Sequence, residues 1–259
     1  MYTKNDIKNG IKSMGIKPTD TLLIHSSMKS LGAVDGGADT VIDALMEYMK
    51  DGLLILPTHT WAQMSEQHSI FDPLTERACV GILPNLFMKR PGVLRSLHPT
   101  HSVAAIGKGA EEYIAGEENW DTPCPREGCW GKLYDRKAKI LFIGVRMDRN
   151  TFIHSVEEWM DVPNRLTAKR VGLQVKTPEG NLIDRPVYRH YSAVGSTSDC
   201  YLKLEAPFLE KGCIKEGKIG DARCFIGDAV KMADLTMDFL KRDLDLFSDK
   251  EAVPVEWYR

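Results

Sequence analysis

Apolar residues recur every three or four positions over residues 4–15, with Ile7, Ile11 and Met14 on one face and Gly15 as a stop. That spacing predicts an amphipathic helix. The run T-L-L-I-H at 21–25 is continuous and short, as a buried strand is, and G-L-L-I-L-P at 52–57 repeats the pattern. Between them, residues 38–50 place Val41, Leu45 and Tyr48 on one helical face. Strand, helix and strand at this spacing form a βαβ unit with a parallel pair. Residues 82–89 and Ala110–Ile114 read as short helices, 102–107 and 139–145 as strands. Residues 150–159 read as a helix with Asn150 or Thr151 as its N-cap. The last third adds a hairpin over 171–188, split by P-E-G-N at 178–181. A helix over 201–210, strands at 213–219 and 223–226, and a helix over 228–242 striped by Met232, Leu235, Phe239 and Leu240 complete the pattern. Two stretches, 58–80 and 115–131, lack periodicity and read as long loop insertions, which are often functional.

These elements predict one α/β domain over residues 1–259, its layered sheet partly antiparallel because of the hairpin. With 259 residues, 43% hydrophobic and 27% charged, the chain has a globular composition. Its 34 basic and 36 acidic residues leave a net charge of −2, which argues against a nucleic-acid partner. Apolar runs reach only about six residues, far short of a membrane span. The N-terminal segment M-Y-T-K-N-D lacks the apolar core of a signal peptide, so a cytoplasmic location is expected, with six free cysteines. Cys124 and Cys129 resemble a zinc half-site, but no second pair completes it.

The chemistry concentrates in three segments. In N-T-F-I-H-S-V-E-E at 150–158, His154 shares a helical face with Glu157 or Glu158. A carboxylate beside an imidazole fixes its tautomer and raises its basicity, although the same pair is also an ordinary helix-surface pair. In R-S-L-H-P-T-H-S at 95–102, His98 and His101 flank Pro99, which works against a shared helical face. In H-S-S-M-K-S-L-G at 25–32, small hydroxyl residues and glycine follow a strand, as they do in anion-binding turns and in ordinary strand–helix connections.

Taken in order with V-G-I-L-P at 80–84, G-C-W-G-K-L at 128–133 and G-K-I-G-D-A at 217–222, these segments resemble the aminoglycoside 3-N-acetyltransferase family. The resemblance spans about residues 20 to 240. It implies a three-layer α/β/α fold with a mixed sheet, distinct from the GNAT acetyltransferases. It also implies acetyl-coenzyme A as co-substrate, no metal, and a small-molecule amine as acceptor, chiefly the 3-amino group of a 2-deoxystreptamine ring. The family's N-T-x-x-H-x-x-E motif falls on His154 and Glu157, implying a general base and its orienting carboxylate. Ser26, Ser27, Met28, Ser30, Leu31 and Gly32 are implied to receive coenzyme A. Arg95, Ser96, His98 and Ser102 are implied to lie near the cofactor or the acceptor. An aminoglycoside carries several ammonium groups, so the acceptor pocket is expected to draw carboxylates from Asp72, Asp121, Glu127, Glu158 and Asp161. The family often has Ser-Pro at Cys129-Trp130 and Glu at Asn85. Two alternatives stand beside this reading: a metal-dependent hydrolase built on His98, His101, His154 and Glu157, and a catalytically silent coenzyme A-binding relative. A monomer or a homodimer is expected.

Overall fold

The computed structural model describes residues 1–193 and 195–259. Seven strands form one mixed sheet. Its centre is β1 (Thr21–Ser26), flanked in parallel by β2 (Leu53–Pro57) and β6 (Lys139–Ile143). Beyond β2 lie β5 (Val103–Gly107) and β4 (Leu94–Arg95), both antiparallel. Beyond β6 lie β10 (Ala222–Asp228) and β9 (Ile214–Ile219), again antiparallel.

Side chains alternate across these strands and so build a core on each face. On β1, Leu22 and Ile24 face one core while Leu23 faces the other, and on β2 Leu54 and Leu56 oppose Leu53 and Ile55. The first core is closed by α1 (Lys4–Ser13), α2 (Gly37–Tyr48) and α3 (Ile82–Phe87). The second is closed by α4 (Ala110–Ile114), α5 (Cys129–Asp135), α6 (Phe152–Trp159) and α8 (Ala229–Arg242). The result is the three-layer α/β/α sandwich with a mixed sheet that the sequence implies. The helices carry their own start signals. Thr3 and Asp6 form a reciprocal capping box on α1, and Asp228 accepts the Lys231 amide to open α8.

Several expectations are adjusted. The 58–80 loop contains β3 (Ile70–Phe71), which pairs with β7 (Gln174–Lys176) of the hairpin. With β8 (Leu182–Asp184) they form a separate three-stranded sheet, and the hairpin strands are shorter than the pattern indicates. The helix placed at 201–210 begins earlier, as a 3₁₀ stretch over Thr197–Leu204, before α7 (Glu205–Glu210). The 115–131 loop is folded at both ends, with a 3₁₀ turn at Glu117–Asn119 and the first turn of α5. Neither Asn150 nor Thr151 makes a side-chain cap on α6. Asn150 is buried instead, and Thr151 turns its hydroxyl to His59.

Glu117 anchors the 115–131 segment: fully buried, it accepts the Cys129 backbone N–H at the start of α5. Burial pushes its carboxyl above the ordinary value of 4.5. A raised folded pKa gives stability that is fully present below the unfolded value and is lost as pH rises through the folded one. Glu117→Gln keeps an acceptor for Cys129 and removes that titration. Urea unfolding should therefore show the variant gaining on wild type as pH rises above about 4.5. Parallel pH profiles would show that Glu117 is not the source.

Candidate active site

In open α/β sheets, sites gather where parallel strands end. Here β1 ends at Ser26 and β2 at Pro57, and both residues line a cleft of about 630 Å³. Over that edge α6 presents His154, which also lines the cleft.

The His154 ring is fixed from behind. Its Nδ1 lies 2.6 Å from the Tyr201 hydroxyl and 3.2 Å from Glu157 Oε2. Tyr201 in turn donates to the same Glu157 oxygen. The other carboxylate oxygen, Oε1, accepts Arg165 Nε at 2.5 Å. Glu157 and Tyr201 are almost fully buried. Burial alone would raise the Glu157 carboxyl, but His154, the Tyr201 hydroxyl and the Arg165 guanidinium outweigh it and hold the pKa below 4.5. Glu157 is therefore an anion at neutral pH. It draws the proton of His154 to Nδ1 and leaves Nε2 as the ring nitrogen able to accept one.

Arg165 reaches Glu157 because the chain doubles back after α6. Asp161 and Asn164 adopt left-handed backbone there, with φ of 50° and 58°, a conformation that Asn and Asp tolerate better than most residues. Sequence reasoning identified His154 and Glu157 but missed Tyr201, Arg165, His59 and His190. The turn signal in D-V-P-N at 161–164 was the only local hint of the return.

Five of the seven histidines, His59, His98, His101, His154 and His190, form one chain of ring contacts beside the cleft, and His25 joins it through Trp130. His190 stacks on His154 with centroids 4.0 Å apart, and His101 meets both His190 and His59 edge-on. Burial pushes His25 down to about 3 and His98 to about 4, and holds His59, His101 and His190 well below 6.5. These five rings are neutral at pH 7, and the four that line the cleft, His25, His59, His101 and His190, offer it polarity without charge.

The remaining sequence candidates separate sharply. Ser26 lines the cleft. Its neighbours brace the segment instead: Ser30 donates to Ser27 Oγ at 3.0 Å and to Gly144 O at 3.3 Å, Leu31 is core, and Met28 packs against the α1–α2 side. A side chain at Gly144, whose φ is 63°, would strike Ser30, and one at Gly32 would strike Asp221. Glycine at these two positions lets the 25–32 segment seat between β6 and the β9–β10 turn. Arg95 is a buried clamp, not a cleft residue. It donates to Thr58 O (2.8 Å), Glu76 O (2.5 Å), Pro73 O and Ser102 Oγ, and lies over Phe71, tying the 58–80 loop to the sheet. Burial lowers its pKa to about 10, which leaves it charged. Ser96 accepts the Val103 amide, and Ser102 donates to Thr58 O.

His98 has both ring nitrogens committed to backbone: Nε2 meets Thr122 O at 3.0 Å, and Nδ1 accepts the His101 and Thr100 amides. The metal set of His98, His101, His154 and Glu157 is not assembled. His98 has no lone pair to offer, and Glu157 is consumed by Arg165 and Tyr201. None of the five predicted acceptor carboxylates lines the cleft among the described residues. Asp72 pairs with Lys176 and Asp121 with Arg170. Glu127, Glu158 and Asp161 border a second depression, and burial raises Glu158 to about 7. The family departures are both structural. Trp130 is fully buried, stacks on His59 and donates to His101 O, while Asn85 ties down Ala78 and Gly81.

Fold and site together define an α/β enzyme with a histidine–carboxylate couple at the strand ends, and comparison with known proteins gives its family. A family profile described as Aminoglycoside 3-N-acetyltransferase matches residues 23–241. The chain is 26% identical to aminoglycoside N(3)-acetyltransferase IX of Micromonospora chalcea, over 93% of this chain and 94% of that protein. It is 27% identical to the prophage-derived aminoglycoside N(3')-acetyltransferase-like protein YokD of Bacillus subtilis, over 86% of each. Among solved structures, AAC-IIIb in binary complex with CoASH superposes with a TM-score of 0.81 at 23% identity, covering 93% of this chain and 96% of that one. A histidine-to-alanine variant of AAC(3)-IVa in complex with a gentamicin gives 0.82 at 23%, covering 95% and 91%. The chain belongs to the aminoglycoside 3-N-acetyltransferase family and is an acyltransferase of that kind. No helix among the described residues is long and apolar enough to cross a membrane.

Proposed function

We propose that this chain transfers the acetyl group of acetyl-coenzyme A directly to an amine, with His154 as general base. The observation that carries the proposal is the commitment of His154 Nδ1 to Tyr201 and Glu157, which presents Nε2 to the cleft. As the amine attacks the thioester carbonyl, Nε2 takes its proton, and the Glu157 anion stabilises the imidazolium that results. The tetrahedral intermediate then expels the coenzyme A thiolate, which recovers the proton from the imidazolium. The Ser27 amide already donates to Ile143 O and the Thr151 hydroxyl already meets His59, so we assign the oxyanion to the Ser26 hydroxyl on the cleft wall. The profile match and the relative with bound CoASH support the co-substrate.

The relatives' names point to N(3)-acetylation of an aminoglycoside. The cleft favours acceptors of lower charge: Asp148 is its one carboxylate among the described residues, it pairs with Arg149 at 3.2 Å, and Arg149 and Arg189 are also cleft residues. A polycation gains little from such a lining. We therefore expect the best acceptor to be a small amine with one or two positive charges. Thiol release from acetyl-coenzyme A should be measured over monoamines, diamines and aminoglycosides at several salt concentrations. The preferred acceptor should show a KM that changes little with salt. An aminoglycoside preferred over all others, with a KM rising steeply with salt, would restore the 2-deoxystreptamine reading.

A further inference from the structure

Behind the cleft wall, three side chains from distant segments converge. Cys124 comes from the 115–131 segment, Glu158 from the end of α6, and His190 from the strand-like stretch that bridges to Leu166. One ligand atom from each lies within 4.8 Å of the other two. Cys124 Sγ and His190 Nε2 are 3.7 Å apart. In tetrahedral zinc sites, with Zn–S of about 2.3 Å and Zn–N of about 2.0 Å, sulfur and nitrogen ligands stand roughly 3.5 Å apart. The Cys–His pair is therefore already spaced as two ligands of one ion. Glu158 Oε1 accepts the Cys124 amide at 2.8 Å, and one oxygen of this carboxylate lies within 4.8 Å of both the thiol sulfur and an imidazole nitrogen of His190.

We propose that this chain binds one thiophilic divalent transition-metal ion, of the zinc class, through Cys124, Glu158 and His190. One thiolate, one imidazole and one carboxylate select such an ion over magnesium or calcium, which take all-oxygen shells. Three protein ligands leave a fourth position for water. Binding sets the thiol proton free to solvent as the metal–sulfur bond forms. The ion has a way in: Glu158 opens onto the second depression, of about 440 Å³, bordered by Thr122, Pro125 and Arg126. Neither Cys124 nor Glu158 lines the cleft, so the ion stands apart from the reacting groups. Its effect reaches the site through His190, whose ring stacks on His154. Held by the ion, His190 is a fixed wall for that ring, which makes it a positioning residue.

The rival is an ion-free arrangement in which the Cys124 thiol donates to His190 and Glu158 serves only the Cys124 amide. Cobalt titration of the chelator-stripped full chain separates the two without reference to turnover. The expected result is one equivalent of cobalt with a thiolate-to-cobalt charge-transfer band, lost in Cys124→Ser and kept in Cys79→Ser. Competition with a zinc indicator should show affinity reduced at least about 10²-fold in His190→Ala, beyond what loss of an outer partner of a metal ligand usually causes. Should His190→Ala fail to fold, Glu158→Gln supplies the second reading, with the band kept but affinity reduced more than about 10²-fold, beyond the range for an outer partner. No thiolate band in the wild-type chain, or a band that survives Cys124→Ser, overturns the proposal.

Discussion

His154→Ala is expected to lower acetyl transfer by at least about 10²-fold, the lower end of what a positioned general base contributes. The fold should survive. His154 sits at the cleft wall and its side chain keeps 14% exposure, so truncation opens space to solvent and not a closed cavity. Tyr201 retains Glu157 as its partner, and Glu157 retains Arg165. Calorimetry should find coenzyme A bound about as tightly as by wild type, with the loss in kcat and not in the cofactor constant. A variant that keeps most of the wild-type rate with the best acceptor would place the base elsewhere.

Glu157→Ala is expected to cost about 3–5 kcal/mol of stability, because it strands the buried Arg165 guanidinium without its counter-charge. Arg165 is 8% exposed and its Nη2 has no hydrogen-bond partner among the described residues, so Glu157 is the counter-charge on which the guanidinium depends. The pH dependence has a definite sign. The folded pKa of Glu157 is depressed, so its contribution is present above about pH 4.5 and is lost as pH falls through the lower folded value. Urea unfolding should show the gap between wild type and Glu157→Ala narrowing in acid. Stability and rate are separable: Glu157→Gln with Arg165→Met should recover much of the stability, since a buried pair is often replaceable by apolar packing, but not the rate. A Glu157→Ala loss below about 1 kcal/mol at neutral pH would show that the pair is not the buried lock that its geometry implies.

The parts of this molecule that sequence made legible are those set by local rules. Helix periodicity and short apolar runs located β1, β2, β6, α1, α2 and α8, because each buries one face or both and its sequence must say so. The same holds for His154 and Glu157, three residues apart on one helix. What was not legible depends on tertiary return of the chain. Arg95 looked like a cleft residue because its neighbours form a motif. Its guanidinium instead satisfies carbonyls of a loop some twenty residues upstream, and no local pattern encodes that choice. Tyr201 lies 44 residues beyond Glu157 and Arg165 lies past a reversal, so neither could be paired with it by spacing. The acidic residues of the long loops read as a cationic-acceptor lining. In the fold, Lys176 and Arg170 neutralise two of them, and the others face away from the cleft.

The central claim is that this cleft moves an acetyl group from coenzyme A to an amine with His154 as the base. Mass spectrometry of the amine products, run alongside thiol release for wild type and His154→Ala, tests it most directly. The prediction is at least one amine gaining a single acetyl group in step with thiol release, both lost together in the variant. Thiol release that does not depend on any amine, or an acetylated product formed equally well by His154→Ala, would contradict it.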